Sequence, residues 1–316
     1  MDFLFAILGL TILVLAGDVL VRGAVNVSLR LGVPALIVSL TIVAIGTSAP
    51  ELLIAINAVL EDAPGLAIGN VVGSNTANVL LVLGVPAMLA GLTTCDCDTR
   101  QSYVQMIAAT FLFIAMSLLQ PITWVHGSVM LGVYGAIMLQ AFYKARAHRR
   151  AEAEACVDLE EIEGVDPNMP WWRIGMFLLL GIIGLPLGAE LLVDSATSIA
   201  RSYSVSETAI GLTLVAVGTS LPELATTIAA ALRRQADVAI GNVIGSNIAN
   251  LLAIVGIASF LGEIPVSQQI LNFDIWVMLG SSLLLIPFVF GKMNITRGWG
   301  VILTVLYATY VTYVLF

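Results

Sequence analysis

The sequence predicts an all-α, polytopic membrane protein with ten transmembrane helices in two inverted five-helix repeats. Three observations carry that expectation. Of the 316 residues, 59% are hydrophobic and 11% charged, against roughly 25% charged in soluble domains, and mean hydropathy is +1.00. Apolar stretches long enough to cross a bilayer recur almost end to end. One long motif occurs twice, 172 positions apart.

A spanning helix needs about 20 predominantly apolar residues, because it rises 1.5 Å per residue through a core about 30 Å thick. Ten stretches qualify: 3–25, 34–58, 65–91, 101–120, 124–144, 171–194, 206–232, 237–262, 270–290 and 296–315. The first has no basic residue ahead of its apolar run and no A-x-A-like site after it, so it reads as a retained span and not a cleaved signal. Only a short turn near Pro121 separates the fourth and fifth. The one long polar stretch, 145–170, divides the spans five and five. The chain thus parses as a first repeat (1–144), a charged linker (145–170) and a second repeat (171–316).

Orientation follows from the excess of Lys and Arg in cytoplasmic loops. With the N-terminus outside, twelve of the 13 basic residues face the cytoplasm and only Arg201 faces out. Both termini are therefore expected to be extracytoplasmic and the linker cytoplasmic, in a multi-pass protein of the cell (inner or plasma) membrane. The net charge of −8 arises largely from Glu152 to Asp166. It reads as a solvated surface segment with no D-x-D-x-D-G calcium loop, and nothing is basic enough for nucleic acid. Cys95, Cys97 and Cys156 lie in connecting segments without zinc spacing and are expected as free thiols. His126 and His148 fall in a turn and in the linker.

The repeat is specific. Leu40–Leu52, L-T-I-V-A-I-G-T-S-A-P-E-L, matches Leu212–Leu224, L-T-L-V-A-V-G-T-S-L-P-E-L, at ten of 13 positions. Ala67–Asn78, A-I-G-N-V-V-G-S-N-T-A-N, matches Ala239–Asn250, A-I-G-N-V-I-G-S-N-I-A-N, at ten of 12. Asp18 and Glu190 share the offset. Because each half holds an odd number of spans, the second enters the bilayer from the opposite side. Inverted repeats with matched Gly/Pro-interrupted segments are how secondary transporters build a substrate site near the midplane.

The residue types in those segments suit a cation. A proline inside a helix deletes a backbone hydrogen bond, so Pro50 and Pro222 are expected to break their helices and free carbonyls near Ala44–Thr47 and Ala216–Thr219. Freed carbonyls persist at membrane depth only where buried in protein or lining a cavity. Beside each break stand a hydroxyl (Ser48, Ser220) and a carboxylate (Glu51, Glu223). A buried charge costs at least about 2.5–3.5 kcal/mol there, and with no Lys, Arg or His in either motif the compensator is a bound cation or a proton. Ser74 with Asn78, and Ser246 with Asn250, are i, i+4 pairs on one helix face. Such an all-oxygen set favours Ca²⁺ or Na⁺ over zinc or copper.

Other residues read structurally. Gly69, Gly73, Gly241 and Gly245 form G-x-x-x-G pairs for close helix packing. Asn70, Asn75, Asn242 and Asn247 read equally as interhelical hydrogen-bonding residues or as outer supports of the site. The four serines have a competing use in bonds to their own helix backbone, and Arg22 one turn on is the expected partner of Asp18.

These motifs resemble the calcium/cation antiporter superfamily, in particular its prokaryotic sodium/calcium exchangers, over the whole chain. The resemblance implies electrogenic exchange, typically three Na⁺ for one Ca²⁺, by alternating access around four clustered cation sites. Carried over, its ligands fall on Thr47, Ser48, Glu51, Ser74 and Asn78, and on Thr219, Ser220, Glu223, Ser246 and Asn250. Thr47 and Thr219 would act chiefly through backbone carbonyls, with those of Ala44 and Ala216. Some relatives carry Asp where this chain has Asn250, which argues against K⁺ dependence and leaves two core carboxylates. The linker is too short for the regulatory calcium-binding domains of animal exchangers. Ca²⁺ and Na⁺ are substrates in this reading; no resident cofactor and no obligatory protein partner are expected.

Other functions fit less well. A hydrolase using Ser48 or Ser220 would need a base, and neither histidine is expected within the membrane core, nor is there an H-E-x-x-H. The expectation is therefore no enzyme. A channel usually builds its filter around an axis between subunits, whereas these motifs pair within one chain. The closer competitor is a Ca²⁺/H⁺ exchanger using the same glutamates.

Overall fold

The computed structural model describes residues 2–92, 99–152, 169–203, 216–291 and 293–315. Within them the chain is a bundle of helices: α1 (Asp2–Leu31), α2 (Ala35–Thr47), α3 (Ala49–Leu60), α4 (Pro64–Ala90), α5 (Thr99–Leu118), α6 (Trp124–Glu152), α7 (Trp171–Ser202), the single turn Ala216–Gly218, α8 (Leu221–Leu232), α9 (Ala236–Ala258), α10 (Ile270–Val289) and α11 (Arg297–Leu315). Among the described residues seven helices are long and apolar enough to cross a membrane, or eight if α2 and α3 form one bent span. That is short of the ten expected. The seventh expected span, 206–232, is described only from residue 216 onward, as a turn and the 12-residue α8, and the 19-residue α11 is not among the seven.

Several boundaries move. α1 continues past 25 to Leu31, and Gly32 in the left-handed region (φ 59°) with Pro34 two residues on ends it. α7 likewise outruns 194 to Ser202. α6 overruns the expected linker start, running to Glu152, because A-R-A-H-R-R-A-E consists largely of good helix formers that water can solvate. Linker residues 153–168, with Cys156, and Cys95, Cys97 and Leu212–Val215 of the second motif lie outside the described residues.

The two halves repeat one another in backbone detail. Ser48 (φ −85°, ψ 10°) and Ser220 (φ −87°, ψ 4°) each precede a 12-residue helix with proline in its first turn. Those helices end alike, with Ala63 N–H on Ala58 O and Gln235 N–H on Ala230 O, both at 2.8 Å, and with left-handed Asp62 (φ 57°) and Arg234 (φ 56°) 172 positions apart. Two short antiparallel bridges, Leu92 with Ile295 and Ile122 with Ile264, join one half to the other. At an offset of 172 or 173 each bridge becomes the other, the reciprocal contact a two-fold relation produces.

Burial is graded from the centre outward. Of the spanning window of α9, 94% is buried, against 17% of that of α6, so α9 is the axis and α6 the rim. α9 can sit there because its G-x-x-x-G pair admits α2: a Cβ on Gly245 would lie 2.5 Å from the Leu40 carbonyl oxygen, and one on Gly241 2.9 Å from that of Leu36. This is the close packing expected of small residues, but it holds for the second pair alone: a Cβ on Gly69 or Gly73 would meet nothing within 4 Å. The Ser39 hydroxyl adds a hydrogen bond to Val238 O at 2.6 Å across the contact of α2 with α9.

Candidate functional site

The site is built where α2 meets α3 and where the turn Ala216–Gly218 meets α8. α2 and α3 are bent by 43°, and the bend falls at Ser48, outside helical geometry. The expected break is there, and Pro50 stands just past it. It occupies the first turn of α3, where a missing N–H costs nothing. The consequence for the expected carbonyls is specific: Ala44 O is not released, because it still accepts the Ser48 N–H at 3.0 Å. The carbonyl deprived of a donor four residues on is that of Gly46. In the second half Pro222 occupies the matching place in α8, and the Ser220 N–H donates to Val217 O at 3.1 Å. Ala216 enters only as the first residue of the preceding turn.

Both glutamates lie in the first turns of their helices and are fully buried. The two halves are joined directly between candidate residues: the Ser48 hydroxyl donates to Glu223 Oε1 at 3.2 Å. The other three carboxylate oxygens, both of Glu51 and Oε2 of Glu223, find no hydrogen-bond partner among the described residues, nor do the hydroxyls of Ser220 and Ser246. Thr47, Ser74, Asn78 and Asn250 are also buried, and Thr219 nearly so. The amide nitrogen of Asn78 donates to Asn247 Oδ1 at 3.1 Å, while its Oδ1 and both amide atoms of Asn250 are without partners among the described residues. Buried polar atoms are normally paired, so these unpaired oxygens make the two motifs the candidate site.

Asparagines outside the candidate set support it. Asn247 receives Asn78 and turns its own amide nitrogen toward Asn75 O at 3.5 Å and Met106 Sδ at 3.7 Å. The Thr47 hydroxyl reaches Asn242 Oδ1 at 3.2 Å, and Asn242 Nδ2 reaches Thr227 Oγ1 at 3.3 Å. Thr227 went unnoticed in the sequence, although its signal was present: the first motif has Ile54-Ala55 where the second has Thr226-Thr227. Also unforeseen are the π-type turns at Asn78–Val82 and Ala249–Ile254, which widen the helices at the two candidate amides. Such turns recur at functional sites. No group of three or more His, Cys, Asp or Glu side chains placed to hold a metal occurs among the described residues.

Away from the site, Asp18 pairs with Arg22 at 3.1 Å, as expected, and also with Arg233 at the end of α8. Glu190 is exposed.

Comparison with known proteins places this architecture. The pattern of the family described as Sodium/calcium exchanger protein matches residues 1–143 and 174–316. The Putative antiporter CaxA of Alkalimonas amylolytica is 33% identical over 99% of this chain and 98% of its own length. The Sodium/calcium exchanger MaX1 of Methanosarcina acetivorans is 32% identical over 98% and 97%. Among solved structures, that of the sodium-calcium exchanger NCX_Mj soaked with Na⁺ and Sr²⁺ superposes with a TM-score of 0.83 at 30% identity, covering 98% of this chain and 97% of that one. The chain belongs to the sodium/calcium exchanger protein family.

Proposed function

We propose that the chain is a secondary active antiporter that exchanges Na⁺ for Ca²⁺ by alternating access, around one central all-oxygen site formed by both repeats. The observation that carries this reading is the pair of fully buried glutamates, Glu51 and Glu223, at matched helix bends, with three of their four oxygens unpaired among the described residues. Two carboxylates with no cation beside them in either motif are compensated by what they transport. Glu51 and Glu223 supply the charge shared by Ca²⁺ and Na⁺. Ser48, Ser74, Asn78, Ser220, Ser246 and Asn250 supply neutral side-chain oxygens, and Ala44, Thr47, Ala216 and Thr219 act through backbone carbonyls. Names borne by relatives, such as Sodium/calcium exchanger MaX1, point the same way.

The same reading takes the fold as ten spans. The segment ending in α8 is the bent counterpart of α2 and α3, and α11 the counterpart of α6, so that residues 1–144 and 171–316 are inverted five-span repeats. Both termini then face away from the cytoplasm and the linker faces into it, in the cell membrane.

The test is ion flux in proteoliposomes. An outward Na⁺ gradient drives Ca²⁺ uptake, and Glu51→Gln or Glu223→Gln abolishes it. Uptake that ignores Na⁺ and follows a pH gradient would replace the Na⁺ assignment with proton exchange.

A further inference from the structure

The Ala44 carbonyl is contested. It has two lone pairs, and the Ser48 N–H occupies one of them at 3.0 Å. The Thr47 hydroxyl, with a single proton, lies 3.3 Å from Ala44 O and 3.2 Å from Asn242 Oδ1, and the third claim on it, from the Glu223 carboxylate, lapses once that carboxylate holds the cation. If that proton settles on Ala44, the carbonyl is saturated and has nothing left to offer an ion. If it settles on Asn242, one lone pair of Ala44 stays open.

What decides between them lies one helix further out. Thr227 spends its own proton on Glu223 O at 2.7 Å, so toward Asn242 its hydroxyl can only accept. It therefore takes the Asn242 amide nitrogen, at 3.3 Å, and holds Asn242 with its oxygen toward Thr47. The chain of donors runs one way: Thr47 to Asn242, Asn242 to Thr227, Thr227 to the backbone of Glu223. All three side chains are buried, so water does not compete for these bonds. The first half provides an internal control. There Ala55 stands where Thr227 stands in the second half, and Asn70, the counterpart of Asn242, has a buried Nδ2 with no partner among the described residues.

We propose that Asn242 and Thr227 are positioning residues that keep the Ala44 carbonyl open to the transported cation by drawing the Thr47 hydroxyl away from it. The inference rests on the exchange reading above and adds residues that touch no ion. It also makes the site unequal by construction, since only one half carries the complete chain.

The test uses Thr227→Val, which keeps the side chain's shape and removes its hydroxyl, with Thr227→Ser as the conservative variant. Ca²⁺ titration of the purified protein by calorimetry is run beside Na⁺-driven Ca²⁺ uptake in proteoliposomes. Thr227→Val weakens Ca²⁺ binding about threefold to tenfold, the worth of one hydrogen bond, with the maximal uptake rate within about twofold of the parent, and Thr227→Ser restores the affinity. Unchanged affinity in Thr227→Val, or an equal loss in Thr227→Ser, overturns the proposal. A parent protein that binds Ca²⁺ but is not driven by Na⁺ overturns the counter-ion assignment alone and leaves the titration standing. A parent that takes neither ion overturns both.

Discussion

The two halves of the site have one backbone and two hydrogen-bonding patterns. Ser48 and Ser220 differ by only a few degrees in φ and ψ, and the helices after them have equal length and matching ends. Yet the Ser48 hydroxyl holds Glu223, while the Ser220 hydroxyl and both oxygens of Glu51 have no partner among the described residues. Asn247 accepts from Asn78, whereas both amide atoms of its counterpart Asn75, and both of Asn250, are unpaired there. The duplicated sequence therefore sets a two-fold frame, and the side chains within it are bonded on one side. On the alternating-access reading proposed above such inequality has a use: if the halves exchange patterns between the two states, the carboxylate that is free in one is held in the other.

The frame is tested most severely where the halves touch backbone to backbone. A methyl group at Gly245 would meet Leu40 O at 2.5 Å and Ala44 Cβ at 2.7 Å, and neither can retreat without moving α2, which carries Thr47. Overpacking of this kind costs about 1–3 kcal/mol. Gly245→Ala is expected to lower the thermal unfolding midpoint in detergent and to weaken Ca²⁺ uptake with it. Gly132→Ala, on the exposed face of the rim helix α6, is expected to leave the midpoint unchanged or to raise it, since alanine is the better helix former. Equal losses at both positions would mean that the halves are not registered through α9.

How much of this was legible in the sequence follows from the same division. The repeated G-T-S-x-P-E and G-S-N-x-x-N strings located the bends, the buried glutamates and the glycine contact, because backbone breaks and close approaches demand particular residues. The strings could not say that the bend falls at Ser48 and that Pro50 merely starts α3. A proline in the first turn of a helix and one that breaks a helix midway look identical in sequence. Nor could they assign the asymmetric bonds, which depend on which hydroxyl rotor faces which oxygen. Thr227 was the readable exception, a departure from the repeat that stood beside a candidate ligand. The span count differs for another reason: α8 is short, residues 204–215 lie outside the described ones, and α11 is not among the seven.

The bonding pattern is tested by two double-mutant cycles on the ion-free protein, in chelator without Na⁺. Combining Ser48→Ala with Glu223→Gln is expected to show a coupling of about 1 kcal/mol, the worth of one buried hydrogen bond. Combining Ser220→Ala with Glu51→Gln is expected to couple by less than about 0.5 kcal/mol. The cycles are read from thermal or denaturant unfolding. Equal couplings would show that the bonds are as symmetric as the backbone.

The smallest expected effect lies at the periphery, where the repeat is broken in charge. Asp18 pairs with Arg22 and Arg233, tying α1 to the end of α8, and these side chains are 31%, 43% and 18% exposed. At the same offset stand Glu190, Asp194 and Glu61, all acidic and all exposed. An ion pair this open to solvent is worth less than about 1 kcal/mol, and salt screens it. Asp18→Asn is therefore expected to lower the unfolding midpoint slightly at low ionic strength and hardly at all in molar salt, while Glu190→Gln changes it in neither. A salt-insensitive loss at Asp18 would move this pair out of the solvated periphery. It would then count, with Ser48 and Glu223, among the contacts that make the two halves unequal.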